Sequence, residues 1–337
     1  MAKEKLQIEL SEILEQDPKF MINWAKNVYA KRELSEEEVA ISEEVNKFVK
    51  EADKYGSRQA KDSIAQLVLK IIEPEVTNYP YGILDNVLSQ ASYEEFDKAR
   101  IFSSPKNTLV ARQSAPRTGN VKKSYINFTE GTTKETHLQI ETEIRMSDLR
   151  RNGALGVATL TLFAIEEFNN AEFKAMLQFV DELKTVGGDG YFQSVGMTVT
   201  GADDFLGYLD DNNTTGGYST VIGLSNLIRK LSQVKDVKEY SDVAKDEVLR
   251  TGKLTQIDNS ILYPVKAGLK TGNGDKLLAD NVLYGFCGTI GEQYTKGEMR
   301  TYVIEDGNSE TISLKFTGVE FGVSITKPEN IAKLVIE

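Results

Sequence analysis

The fold is decided by residues 137–146, HLQIETEIRM, and by residues 155–184, LGVATLTLFAIEEFNNAEFKAMLQFVDELK, which follow after one short turn. Apolar and polar side chains alternate in the first segment, and this period of two predicts a strand with one buried face. The second segment is apolar on most sides at helical spacing, and about thirty residues predict a helix of roughly 45 Å. A helix that is apolar nearly all round must be covered on several sides, so we expect it to be the structural spine of the chain.

The region before this strand carries a charge opposite to that of the whole chain. Between Lys106 and Glu135 there are six Lys or Arg residues and two Glu, whereas the formal net charge of the chain is -11. Stretches of extended character on both sides of the turn 116–120 predict a long basic β-hairpin over residues 106–146. One interpretation is a strap that lies on an acidic neighbour, because opposite potentials attract and align two surfaces. The other is a solvated hairpin of an ordinary α+β enzyme.

The composition is that of a soluble globular protein. Of the 337 residues, 40% are hydrophobic and 27% charged, so the chain can bury a core and is long enough for about two domains. No apolar run approaches the ~20 residues that span a bilayer, and acidic residues stand where a signal peptide would be apolar. We therefore predict a cytoplasmic chain without membrane contact. The pI near 5.0 argues against a surface that grips nucleic acid along its length.

Residues 1–75 are predicted to form a helical arm rather than an autonomous domain, since their apolar stripes are narrow. Ser35 precedes three Glu residues and predicts a helix N-terminus that its hydroxyl caps. The apolar stripe that ends at Ile72 predicts a helix that stops at Pro74. Residues 76–105 are predicted to carry turns around a short helix.

The rest of the chain contains a hinge, a second unit and a closing hairpin. Ser147–Gly153 predicts one helical turn, begun by a capping Ser or Asp and ended by Gly, before the long helix. After the glycines of 187–190, short strands and helices separated by polar loops such as 209–217 predict a second compact α/β domain. The turn 306–309 joins two final strands, and a change of alternation phase at Gly318 predicts a β-bulge in the second.

The sequence patterns that carry catalysis or metal binding are missing. The only histidine, His137, falls on the polar face of the predicted strand, and the only cysteine, Cys287, is expected to be a small buried side chain without a disulfide. There is no nucleophile elbow, P-loop or dinucleotide-binding glycine pattern, and the glycine-rich residues 268–276 have the wrong spacing. Two acidic loops, 187–190 and 210–213, lack the calcium-loop pattern and are predicted to be turns. We therefore expect no enzymatic activity, no cofactor and no metal.

The order of these parts resembles that of the major capsid proteins of tailed bacteriophages, whose fold is named after phage Hong Kong 97 and is shared in outline with encapsulins. The resemblance covers about residues 76–337. An N-terminal arm, an extended hairpin, a spine helix, an inserted α/β domain and a closing β-hairpin follow one another as in that family. The stretches most similar to the family are Ser124–Phe128 and Leu138–Thr142 in the extended hairpin, Ser147–Gly153 before the spine helix, Ala244–Leu254 in the inserted domain, and Asp280–Phe286 in the returning strand.

The resemblance implies an α+β chain with four kinds of region. These would be an N-terminal helical arm at 1–75, an extended β-hairpin (E-loop) at 106–146, an inserted α/β axial domain at 196–289, and a peripheral domain at 76–105, 147–195 and 290–337 that holds the spine helix and the closing β-hairpin.

The resemblance also implies a structural protomer that assembles with itself, as pentamers and hexamers, into the icosahedral shell of a tailed phage. Such a shell belongs to the virion, is assembled in the host cytoplasm and encloses double-stranded DNA without sequence-specific binding. Scaffold, portal and decoration proteins are further candidate partners. We expect the basic hairpin to dock on an acidic patch of the next subunit. The candidate inter-subunit residues are Arg112, Arg117, Lys122 and Lys123 in the hairpin, and Arg150 and Arg151 in the hinge.

Three other interpretations stay open from the sequence. An encapsulin-like shell protein has the same fold and a different cargo, although the acidic chain and the long N-terminal arm favour the phage capsid. An unrecognised hydrolase or transferase with a pocket in residues 196–289 would be a monomer or small oligomer with perturbed carboxylates. A host-binding or adhesive protein is the third, and the expected lack of a signal peptide counts against it.

Overall fold

The computed structural model describes residues 17–55, 58–78, 86–94, 103–106, 127–213, 216–234, 242–251, 253–266, 274–304 and 311–337. The helices in these ranges are α1 (Pro18–Tyr29), α2 (Glu36–Tyr55), α3 (Arg58–Asn78), α4 (Met146–Asn152), α5 (Ala154–Leu183), α6 (Val199–Asn212), α7 (Ser225–Ser232) and α8 (Asp242–Thr251). The strands are β1 (Leu88–Tyr93), β2 (Ser103–Lys106), β3 (Asn127–Glu130), β4 (Thr132–Arg145), β5 (Tyr191–Ser194), β6 (Ser219–Leu224), β7 (Gln256–Ile257), β8 (Ser260–Val265), β9 (Val282–Cys287), β10 (Gly291–Lys296), β11 (Arg300–Ile304), β12 (Thr311–Ile325) and β13 (Ile331–Ile336).

Two larger sheets organise the described residues as a mixed α+β fold. Sheet I has the order β1-β10-β12-β11, with β4 paired along the other edge of β12. In sheet I, β1 is parallel to β10 and the other pairs are antiparallel. Sheet II has the order β5-β13-β9-β6-β8-β7. A separate antiparallel pair joins β2 to β3, from Ser103 opposite Glu130 to Lys106 opposite Asn127.

Strand β4 confirms the predicted alternation of side chains. Exposed and covered positions alternate along most of the strand, and Leu138 is buried in the core. β4 pairs antiparallel with β12 along its length, from Thr132 opposite Ile325 to Arg145 opposite Thr311. The period of two is therefore the signature of a long strand that covers the core with one face.

A β-bulge in β12 lies where the sequence predicts it. The register of β12 against β4 shifts between Phe316 and Val319, and Gly318 has a φ of +106°. An ideal Cβ at Gly318 would lie 2.4 Å from the Glu298 carbonyl oxygen, so the position suits only glycine. The extra residue leaves Phe316 and Val319 both buried, which explains the change of phase in the sequence.

Helix α5 confirms the predicted spine. Fifteen of its thirty residues are buried, and they lie on more than one face, so the helix is covered on several sides. It begins after Gly153, which has a φ of +52°, and Asn46 Oδ1 of α2 accepts a hydrogen bond from the Ala154 N–H at 2.8 Å. An ideal Cβ at Gly153 would lie 1.9 Å from that Asn46 oxygen, so this helix start requires glycine.

The hinge before α5 starts differently from the prediction. α4 begins directly after Arg145, and no side chain caps it, so neither Ser147 nor Asp148 serves as the N-cap. The reason is that β4 runs straight into α4, and pairing with Thr311 already holds Arg145 in an extended conformation. The predicted end of the hinge at Gly153 is confirmed.

Helices α1, α2 and α3 pack on the same chain rather than forming a separate arm. Trp24 of α1, Val45 of α2 and Val68 of α3 are each fully buried in the cluster that contains the apolar side chains of α5. Their narrow apolar stripes therefore cover one side of the central helix.

The helix N-terminus at Ser35 is confirmed and the helix end at Pro74 is not. Ser35 Oγ accepts the Glu38 N–H at 3.3 Å while Glu38 Oε2 accepts the Ser35 N–H at 2.8 Å, which is a capping box. α3 continues past Pro74 to Asn78. A proline removes one hydrogen bond of the helix ladder, and burial of the stripe that includes Ile71 keeps the helix on the core.

Sheet II is covered on both faces, which explains why its central strands are apolar throughout. Every residue of β6 and β9 is buried. In β9, Tyr284 and Phe286 belong to the core shared with α5, whereas Leu283 and Cys287 belong to a second cluster with α6 and α7. The short strands and helices predicted for this unit are confirmed.

Three parts of the chain differ from the predictions. Residues 88–93 form a strand rather than a short helix, because they pair with β10. α6 extends to Asn212 and so includes the first part of the predicted loop 209–217. The resemblance assigns residues 290–337 to the peripheral domain, but β13 lies in sheet II between β5 and β9. A six-residue apolar run does not reveal which sheet it will join.

We expect Gly318→Ala to lower the free energy of unfolding by about 2–4 kcal/mol, because alanine would be strained at this φ and would meet the Glu298 carbonyl. Urea unfolding followed by circular dichroism measures the change. Gly207→Ala is the matched control, since Gly207 lies in α6 with nothing within 4 Å of an added Cβ. It should stabilise the chain by roughly 0.5–1 kcal/mol. Equal stability of the two variants would contradict the bulge argument.

Candidate assembly surface

A groove lies between β4, α4 and the first half of α5. Its volume is about 610 Å³, and its apolar floor includes Ile140 and Ile144 of β4 and Leu160 and Ala164 of α5. Six consecutive residues of β4, 140–145, line the groove together with residues of α5 that recur at helical spacing. The groove joins the strand and the helix that decide the fold.

The rim of this groove is acidic. Glu141, Glu143, Asp148 and Glu167 line it together with one cation, Arg145. Four negative charges and one positive charge give a local net charge of -3. Exposed charges act over a Debye length of about 8 Å at physiological ionic strength, so the groove attracts a basic segment and does so less at high salt.

An exposed aromatic pair stands at the groove. Phe163, which lines it, is 51% exposed and lies edge-on to Tyr29 of α1, with the ring centroids 6.0 Å apart. Tyr29 is 46% exposed. A contiguous apolar surface rimmed by polar groups is typical of a protein contact, so the pair extends the apolar floor toward a partner.

Two further backbone features of the described residues are an edge of β4 without a strand partner and the β2–β3 pair. In the described ranges β4 pairs only with β12, so its other edge offers backbone N–H and C=O groups along fourteen residues. In the β2–β3 pair Lys106 lies opposite Asn127, at the two ends of the segment predicted to form the basic hairpin. Four predicted contact residues lie outside the described residues: Arg112, Arg117, Lys122 and Lys123.

The other two predicted contact residues, Arg150 and Arg151, are exposed in the last turn of α4. Positive charge is favourable there, because the C-terminus of a helix carries partial negative charge. Arg150 already has an interaction within the chain. Both lie next to groove residues of the same helix, such as Asp148 and Asn152, and their contact with a neighbouring subunit stays a prediction.

Polar contacts tie the second half of α5 to sheet II. Asp181 accepts a hydrogen bond from the Tyr284 hydroxyl at 3.0 Å and pairs with Lys333 Nζ at 2.7 Å. Burial, with the Asp181 carboxylate next in importance, raises the pKa of Tyr284, so its hydroxyl stays a neutral donor. Lys174 lies 3.8 Å from Asp275 on the same side. The helix that lines the groove is therefore also fastened to the second sheet.

His137 and Cys287 are placed as predicted. The His137 side chain is 80% exposed on sheet I and lies 3.4 Å from Glu320, which is also 3.7 Å from Lys296. Cys287 is buried, and its thiol donates to the Leu209 carbonyl at 3.1 Å. Burial raises the pKa of Cys287 to about 11, so this thiol stays protonated and is a weak nucleophile.

Within the described ranges, no group of three or more His, Cys, Asp or Glu side chains is placed to hold a metal ion. None of the helices described above has both the length and the hydropathy of a membrane span. What converges at the groove is a set of carboxylates and apolar side chains, which suits a basic and partly apolar partner.

The sequence analysis missed the acidic wall of the groove. Glu141 and Glu143 fall on the polar face of the predicted strand, and the sequence analysis does not single out Glu167. Glutamates close together in the sequence, such as Glu141 and Glu143, are a signal of an acidic surface. That they line one groove with Glu167 depends on the strand and the helix lying side by side.

No protein-family model and no curated protein sequence matches the chain. Solved structures of viral and virus-like particles are similar to part of the chain at low identity. The capsid of a native GTA particle is 12% identical, with a TM-score of 0.48 over 75% of this chain and 89% of that chain. The head structure of Helicobacter pylori bacteriophage KHP40 is 11% identical, with a TM-score of 0.47 over 73% of this chain and 87% of that chain. A virus-like particle from Pyrococcus furiosus is 12% identical, with a TM-score of 0.37 over 75% of this chain and 94% of that chain.

We expect Tyr284→Phe to lower the free energy of unfolding by about 1–2 kcal/mol, because Asp181 would lose a buried hydrogen-bond donor. Thermal and urea unfolding measure the effect. Tyr218→Phe is the control, since the Tyr218 side chain is 57% exposed and its loss of a hydroxyl should change stability by less than about 0.5 kcal/mol. Equal effects of the two substitutions would mean that the link from α5 to sheet II does not depend on this hydroxyl.

Proposed function

We propose that this chain is a structural capsid protomer that assembles with itself into the icosahedral shell around the genome of a tailed phage. The observation that carries the proposal is that one chain has both an acidic groove and a basic segment, which are complementary in charge. The acidic groove has an apolar floor and a local net charge of -3, and the hairpin segment from Lys106 to Glu135 carries six basic residues against two acidic ones. A surface complementary to another part of the same chain favours repeated contact between copies.

The β2–β3 pair supports this docking mode. Lys106 and Asn127 are paired across β2 and β3, so the twenty residues between them leave and return at one place. We infer that this segment is an E-loop and that it lies in the groove of the next subunit, with Arg112, Arg117, Lys122 and Lys123 facing the acidic rim. Exposed ion pairs contribute only ~0–1 kcal/mol each, so the shell would depend on many such contacts acting together.

The two sheets support a division of the protomer into two domains. Sheet I and α5 would form the peripheral domain, with contributions from 76–105, 147–195 and 290–337. Residues 196–289 would form the axial domain, and β5 and β13 of the peripheral ranges would pair with its strands in sheet II. In this proposal Arg150 and Arg151 anchor the hinge to acidic side chains of a neighbour, and double-stranded DNA fills the lumen without sequence-specific contacts. Scaffold, portal and decoration proteins would be further partners of a virion assembled in the host cytoplasm.

Negative-stain electron microscopy of the purified full chain, beside its mass by light scattering, tests the function directly. Closed shells, tubes, or rings of five and six subunits are the expected result. Nucleic acid in particles from the native source would support the phage capsid, whereas a protein cargo would indicate an encapsulin-like compartment. A folded chain that stays monomeric or dimeric under crowding and with a co-expressed scaffold would contradict assembly.

A charge-swap experiment tests the docking mode. Reversing the hairpin charges, Arg112→Glu, Arg117→Glu, Lys122→Glu and Lys123→Glu, should abolish assembly while leaving the chain folded. Reversing Glu141→Lys and Glu143→Lys in the groove should do the same, because the basic hairpin would then meet a basic rim. Combining both sets in one chain should restore particles, since opposite charges face each other again.

Light scattering against salt concentration provides the readout, and particle formation by the native chain should weaken as salt screens the contact. Asp204→Lys with Asp211→Lys is the control, because these two acidic residues are exposed on α6, away from the groove. Assembly of either single set at the native level, or failure of the control, would contradict docking in this groove.

A further inference from the structure

A carboxyl group is buried in the middle of the central helix. Glu172 of α5 has no exposed surface, and the residues at the neighbouring helical positions on its face are apolar and buried. They are Phe168 one turn before, Met176 one turn after and Phe179 two turns after, with exposed fractions of 1%, 0% and 3%. The apolar stripe that fastens α5 to the core is thus interrupted by one ionisable group.

Neither carboxyl oxygen of Glu172 has a hydrogen-bond partner. The buried amide oxygen of Asn169, three residues earlier and on the same side of the helix, is also without a partner. An ionised carboxylate in such surroundings costs several kcal/mol unless it is paired, so the neutral acid is the form that fits here. The buried position itself therefore requires a proton.

No charged side chain on the elements packed against α5 offsets this requirement. Burial is the cause that raises the pKa of Glu172 to about 8. Charged groups on those elements, among them Lys26 of α1, Glu43 of α2, Lys61, Lys70 and Glu73 of α3, Asp148, Arg150 and Arg151 of α4, and Lys134 and Glu135 of β4, do not contribute to this shift.

α5 contacts both sheets through polar side chains. Near its C-terminal end, Glu182 pairs with Lys134 of β4 in sheet I, while Asp181 binds Tyr284 and Lys333 of sheet II. Its first half lines the acidic groove. A loss of packing around residue 172 would therefore reach the groove and the link to sheet II through one helix.

We propose that Glu172 makes the packing of α5 proton-dependent: the helix is held between the sheets with this carboxyl protonated, and loss of the proton opens the contacts around it. The consequence is a conformational switch toward alkaline pH that belongs to the folded chain. It does not depend on the proposed function, so it can fail or succeed independently of assembly.

The sign of the pH dependence follows from the two states. An unfolded Glu ionises near its ordinary value of 4.5, whereas the folded chain retains the proton until about pH 8. Unfolding therefore releases one proton in this range, and the contribution of Glu172 to stability decreases as the pH rises. The factor that Glu172 contributes to the equilibrium constant of unfolding should increase about tenfold per pH unit between about pH 5 and 8. Above about pH 8 this factor should stay level.

The test compares urea unfolding of the full chain between pH 5 and 9 with that of Glu172→Gln and of Glu166→Gln. Glu172→Gln keeps the shape of the side chain and cannot ionise, so it should lose this steep part of the pH dependence. Glu166→Gln is the matched control, because Glu166 is exposed on the same helix, and it should retain the native pH dependence. Identical pH profiles for the native chain and Glu172→Gln would overturn the proposal.

Two measurements on the native chain keep the proposal testable if Glu172→Gln does not fold. An NMR titration of the side-chain carboxyl carbons should show one Glu that ionises near pH 8. Hydrogen exchange should show residues 165–180 opening above that pH, beyond the intrinsic increase of the exchange rate. A set of Glu carboxyls that all titrate near 4.5, or protection of this segment that does not change with pH, would overturn it.

Discussion

The burial of α5 is the constraint on which the rest of the structure depends. A thirty-residue helix that is apolar on most sides cannot stay in water, since each large apolar side chain gains about 1.5–3 kcal/mol when it is buried. Sheet I, one face of sheet II and helices α1 to α3 all contribute to the cluster around it. The fully or almost fully buried aromatic side chains of this cluster come from several elements: Trp24, Phe168, Phe173, Phe286 and Phe316. The larger cluster is thus arranged around one helix, whereas α6 and α7 pack in a second cluster on the other face of sheet II.

The covering is uneven along the helix, and this unevenness creates the candidate surface. Phe168 is 1% exposed, whereas Phe163, little more than one turn earlier, is 51% exposed beside Tyr29. The same stretch of helix borders the acidic rim that includes Glu141 and Glu143. An apolar floor with a charged rim is stable in an isolated chain because the charges remain hydrated, and it still offers area for burial against another copy. In the proposed assembly, the exposed side of the first half of α5 would meet a partner, while the other sides of the helix pack in the core.

Two buried glutamates show how local hydrogen bonding decides the state of a carboxyl group. Glu38 is 6% exposed, and it accepts hydrogen bonds from the Ser35 N–H and from the Asn27 side chain, so its pKa is lowered despite burial. Glu172 is buried without any partner, so burial raises its pKa. The two residues are of the same type, and their pKa values shift in opposite directions because Glu38 lies at a helix end and Glu172 lies among apolar side chains. The capping box stabilises the charged form of Glu38, whereas the apolar surroundings of Glu172 stabilise its neutral form.

The local periodicities and their interruptions can be read from the amino-acid sequence alone. The alternation of β4, the long apolar α5, the capping box at Ser35 and the bulge at Gly318 could all be predicted, because each depends on neighbours within a few residues. Three features became visible only in the folded chain: β13 joins sheet II, α1 to α3 cover α5, and acidic residues of a strand and a helix line one groove. These facts depend on contacts between residues far apart in the chain, and short apolar segments do not specify their partners through their own pattern. The sequence shows that Glu172 interrupts the apolar stripe. Its consequence for protonation depends on the burial of Glu172, which the packing of the surrounding layers causes.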